Sequence, residues 1–149
     1  MNKKTLPFFV LLFCLISNAQ DIKKESVFEG TFNNEVIQIY IQSFQQECTG
    51  DIYYKSMVRY LDHKRDETIW RKFQIFANNN NGYILIDDAF HSGRYSNYIF
   101  INQNKGNLKG FIKNETLGEK AINLDRVAKI KDFSIYRKAM DELNEIDDC

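Results

Sequence analysis

A single proline, Pro7, occurs in these 149 residues, and it lies near the start. From residue 20 onward no proline removes a backbone donor, so nothing forbids a continuous β-ladder. Cysteine is scarce at three, histidine occurs twice and tryptophan once. So few thiolate and imidazole donors argue against a four-ligand zinc site. No polybasic run is present, and 20 basic residues balance 20 acidic ones. That balance speaks against a nucleic-acid partner and against an anionic membrane surface. No Gly-x-Ser-x-Gly occurs, so a nucleophile elbow is missing. Nothing calls for a cofactor.

What is present begins with a leader. Asn2-Lys3-Lys4 is a positive stretch, residues 6–16 are an apolar run, and Ser17-Asn18-Ala19 offers small residues for cleavage before Gln20. Residues 1–19 are therefore expected to be a signal peptide. Spanning a bilayer takes about 20 apolar residues, so the run is too short for a membrane anchor. Cys14 follows Phe13 inside that run, whereas a lipidated cysteine follows a small residue. The expected location is the periplasm or the medium. Without Lys3 and Lys4 the basic residues fall to 18 against 20 acidic, a net charge of −2.

Residues 20–149 suffice for one domain with a core, and a monomer is expected. Cys48 and Cys149 remain in it, and in an oxidising compartment an even pair reads most simply as a disulfide. Such a bond closes a loop of about 100 residues, nominally worth ~4–5 kcal/mol. Two free thiols are the alternative.

Hydrophobic periodicity predicts a β-meander. Residues 21–25 form a charged lead-in. Strands are then expected over 26–32, 35–43, 50–61, 68–77, 83–88, 96–103, 107–114 and 120–127. In the first, Phe28, Gly30 and Phe32 share one face, with Val27, Glu29 and Thr31 on the other. In the second, Ile37, Ile39 and Ile41 alternate with Gln38, Tyr40 and Gln42. The third carries apolar residues on both faces. The fourth sets Ile69, Phe73 and Ile75 against Arg71, Lys72 and Gln74. Asn33-Asn34, the four asparagines before Gly82 and Asn104-Lys105-Gly106 read as turns, because Asn and Gly tolerate positive φ. Eight such strands fit a small barrel or a curved open sheet.

The period then changes. From Asp132, an acceptable cap, Phe133, Tyr136, Met140 and Leu143 recur at helical spacing. A terminal helix over 132–146 is expected to dock on the sheet, with Arg137 and Lys138 on its other side. If Cys48 and Cys149 are bonded, a helix about 21 Å long should lie across the barrel end that holds Cys48.

The run Gly30-x-Phe32-x4-Ile37-x-Ile39-x-Ile41, then Gly50-x-Ile52-Tyr53-Tyr54-Lys55, then Leu108-x-Gly110-Phe111 before Asn123-Leu124, resembles a group of small secreted bacterial β-meander proteins. The resemblance covers most of the β portion and not the helix, and Phe111 stands where the pattern usually has Trp. It implies fold and compartment and carries over no catalytic residue.

Each chemical motif has a plainer reading beside it. His63 with Asp62, Asp66 and Glu67 forms an acid–base grouping or simply a solvated loop. Asp87-Asp88-x-x-His91 holds metal-ligand types but lacks the spacing that makes such motifs specific. His63-Arg65-Asp66 has no accompanying Gly-rich loop. Cys48 with His91 pairs nucleophile and base by residue type alone. Neither a catalytic nor a metal site is therefore assigned. Alternate loops of a meander emerge at one end, which gathers His63, Arg65, Asp66, His91 and Arg94 into a charged rim. Polar loops on a rigid scaffold are where binding concentrates. The expected function is a small exported binding module, of inhibitor or immunity type, presenting that rim to a protein partner. The alternatives are a carrier of a small apolar ligand in the barrel and an envelope hydrolase using His63 and His91. An unoccupied interior favours the carrier, and a filled one the binder.

Overall fold

The structure, a computed structural model, describes residues 21–46, 49–62, 67–78, 81–87, 97–114 and 118–147. Eight antiparallel strands follow one another in a meander: β1 (Asp21–Phe32), β2 (Glu35–Gln45), β3 (Ile52–Asp62), β4 (Glu67–Asn78), β5 (Gly82–Asp87), β6 (Asn97–Asn104), β7 (Asn107–Asn114) and β8 (Gly118–Arg126). The sheet closes on itself. The closing seam pairs Phe28 with Arg126, Glu29 with Asp125 and Gly30 with Leu124. Gly30 is needed there, because a Cβ at this position would run into the Asn123 carbonyl and the Leu124 side chain. Asn33 and Asn34 both take positive φ, 53° and 66°, the backbone of a tight two-residue hairpin turn.

β1 starts five residues earlier than the sequence pattern indicates. Lys23, Lys24 and Glu25 hide the period with charge, yet Lys24, Ser26 and Phe28 alternate inward while Glu25 and Val27 alternate outward. A register shift between Ile22 and Lys24 accommodates the extra residue. The fourth strand also needs correction. Arg71 shares the parity of Phe73 and Ile75, and it pairs with Val58, whose side chain lies in the core. It therefore faces the interior, with only Lys72 and Gln74 outward.

Inward side chains fill the barrel. Ile39, Val58, Leu85, Ile99, Leu108 and Leu124 have essentially no exposed surface. They form one cluster with Phe28, Phe73 and the remaining inward aliphatics, as an eight-stranded barrel allows.

Helix α1 (Ser134–Asp147) follows β8. Asp132 caps it, accepting from the Ser134 backbone N–H at 2.9 Å and from the Ser134 hydroxyl at 2.8 Å. The helix lies on the outer wall and not across the barrel end. The reason is a second apolar surface. Val27 pairs with Tyr40 and Tyr40 with Met57, so three outward side chains line up across β1, β2 and β3. Phe133, Tyr136, Ala139, Met140 and Leu143 pack over them, with Trp70 at the edge. The face expected to be apolar is the face that docks. Cys48 and Cys149 both lie outside the described residues. The described helix is not long and apolar enough to cross a membrane.

Candidate functional site

The two ends of the barrel differ. At one, β1, β3, β5 and β7 finish and β2, β4, β6 and β8 begin. The connections between those strands are the ones expected to carry the charged rim. His63, Arg65, Asp66, His91 and Arg94 lie outside the described residues, as do Asp88 and the centre of each long connection. What the structure describes is the barrel interior beneath them. Arg71 stands over the Tyr60 ring, with 5.8 Å from the guanidinium carbon to the ring centroid. Asp87, at 3% exposure, pairs with Phe73 and so faces the same interior one strand over. Arg71 is half-buried and Asp87 buried, and both are engaged in interactions. At the mouth of this end, Lys120 Nζ donates to Asn33 Oδ1 at 2.7 Å, tying the first hairpin to β8.

The opposite end, which the helix was expected to cover if Cys48 and Cys149 were bonded, opens into a recess. It has a volume of about 110 Å³. Lys24, Ser26, Ser43, Tyr54, Tyr83 and Gln103 surround it, above a floor of Phe28 and Ile41. Tyr54 and Tyr83 meet edge to face, with ring centroids 5.5 Å apart. Burial pushes the Tyr83 hydroxyl above its ordinary pKa, and its neighbour Tyr54 adds to the shift. Tyr83 therefore stays a protonated donor at neutral pH. Lys24 stands exposed at the lip, while Ser26 is buried. Two other depressions are more open: one of about 300 Å³ lies where β3 and β4 part below Ser56 and Phe73, beside Met140, and one of about 340 Å³ lies on the outer wall at Val36, Gln38 and Arg59.

A third polar centre holds the helix. The Tyr40 hydroxyl donates to Glu25 Oε1, and Arg137 donates to both Glu25 oxygens, from Nε at 3.0 Å and from Nη2. Arg137 is exposed beside the apolar face, and from there it reaches back to the wall. Its guanidinium, with help from the Tyr40 hydroxyl, holds the Glu25 carboxyl below the usual carboxylate range although burial opposes this. Burial and the Glu25 carboxylate raise the Tyr40 pKa. The Tyr40 ring itself is sandwiched, stacked on Tyr136 at 5.4 Å and tilted against Phe133 at 6.4 Å. This is a clasp between helix and wall.

No family model, curated protein or solved structure matches this chain. The resemblance to secreted bacterial β-meander proteins therefore rests on the sequence pattern alone.

The recess was not foreseen, although its signal is in the sequence. Lys24 and Ser26 continue the period of Phe28, Ser43 continues that of Ile41, and Tyr54 pairs with Ser43. Treating residues 21–25 as patternless removed the strand that completes this ring. The interior position of Arg71 was equally legible, because its parity is that of Phe73.

Proposed function

We propose that this chain is an exported binding module, of inhibitor or immunity type, that presents the loop end of its barrel to a protein partner. The filled interior carries the reading. Carriers of small molecules enclose pockets of roughly 300–1,000 Å³ with mostly apolar linings. Here the barrel encloses side chains, and the recess at its end is about 110 Å³ with a largely polar lining. A ligand inside the barrel is thereby disfavoured, and the outer surface is left to do the binding. Closed barrels hold their loops on a rigid frame, and loops on such frames commonly bind.

Export supports the same reading. All the described strands lie downstream of the expected cleavage before Gln20. Intact-mass measurement of the exported protein should give a chain starting at Gln20, and a lipid adduct on a cysteine would contradict it. The envelope-hydrolase alternative rests on His63 and His91, which the described structure does not include.

The test of the binding face is charge reversal. Arg65→Glu with Arg94→Glu should leave the thermal midpoint nearly unchanged, since exposed charges contribute little to stability. Affinity for a captured partner should fall at least tenfold, or ~1.4 kcal/mol. Unchanged affinity would move the functional surface elsewhere.

A further inference from the structure

The recess at the start of β1 is a built polar enclosure that a protein partner at the other end leaves unused. Lys24 brings an ammonium, Ser26, Ser43, Tyr54 and Tyr83 bring hydroxyls, and Gln103 brings a carboxamide. All six can donate hydrogen bonds, and no carboxylate lines the space. Among the described residues, none of these six side chains hydrogen-bonds another. The donors are therefore not consumed in a network of their own. Cavities that stay dry are apolar, so a recess lined in this way holds water or a polar ligand.

Size narrows the ligand. At about 110 Å³ the recess is smaller than the roughly 150 Å³ engineered cavity that accepts benzene, leaving room for about five heavy atoms. Sugars and nucleotides are too large to enter it whole. A surplus of donors around a single cation favours one negative charge over two. The floor then selects further, because Phe28 and Ile41 offer an apolar surface to the inner end of whatever enters.

We propose that this recess binds a small monocarboxylate, its oxygens among Lys24, Tyr54, Tyr83 and the two serines, its short carbon chain on Phe28 and Ile41. The carboxylate takes charge-assisted hydrogen bonds from the lip, which are stronger than those to water-like neutral groups. The tail replaces water on the floor. The site is independent of the loop end, since it opens at the opposite end of the barrel.

Titration with acetate, propionate, butyrate and inorganic phosphate, followed by amide chemical shifts of the chain from Gln20 onward, tests this. Propionate should shift the Ser26, Ser43 and Gln103 amides saturably, and the longer butyrate should bind more weakly. Lys24→Met and Tyr83→Phe should each weaken that binding about tenfold, with well-dispersed spectra showing that the barrel is intact. Linear, non-saturating shifts, or affinity unchanged in both variants, would overturn the site. Phosphate binding as tightly as propionate would overturn the choice of a monocarboxylate.

Discussion

Glu25 is the residue on which the helix depends, because it accepts from Tyr40 in the wall and from Arg137 in the helix at once. Its side chain is 8% exposed, so removing a donor leaves carboxylate oxygens short of partners in a poorly solvated place. Tyr40→Phe should therefore cost about 1–2 kcal/mol, read from chemical denaturation, with no change in fold. The pH dependence has a definite sign. A carboxylate whose folded pKa lies below its unfolded value of 4.5 contributes stability that is fully present above pH 4.5. That contribution is lost as pH falls below 4.5 through the depressed folded value. Thermal midpoints of the wild type and Glu25→Gln should accordingly converge on acidification below pH 4.5, and a constant difference would contradict the clasp. Gly110 is constrained in another way. It pairs with Ile101, and a methyl group added there would collide with the Phe100 carbonyl. Gly110→Ala should cost about 1–3 kcal/mol by overpacking.

At the scale of elements, α1 is held by one face. Met140 is 2% exposed and sits in the cluster with Tyr40 and Met57, whereas Ile135 is 72% exposed. Met140→Ala should cost about 2–4 kcal/mol, and Ile135→Ala should remain within about 0.5 kcal/mol, both by denaturant titration. Equal costs would mean that the helix presents a different face. The helix itself and its packed residues were legible from spacing, and so were β7, the Asn33-Asn34 turn and the meander order. Its seat on the wall was not. Val27, Tyr40 and Met57 each look like an isolated apolar exception on an outward face, and only cross-strand register brings them into one row. Register is a tertiary fact that a single sequence does not state. The same limit hid the recess, whose residues come from β1, β2, β3, β5 and β6. The start of β1 was missed for a local reason, since three successive charges masked a period that the inward side chains keep.

The whole molecule is a closed barrel with a filled centre, a helix clasped to one side, loops gathered at one end and a small polar recess at the other. The sheet closes on itself, which leaves only short stretches of strand edge for a partner to extend. The interior offers an apolar ligand no room unless core side chains such as Ile39, Leu85 and Ile99 are displaced. The central claim is that this barrel works from its surface. Native mass spectrometry of the protein isolated from its source cells and their medium tests that most directly. The account predicts a chain beginning at Gln20 in complex with a second protein and carrying no stoichiometric lipid or other apolar molecule. A lone chain that retains one apolar ligand per molecule would contradict it.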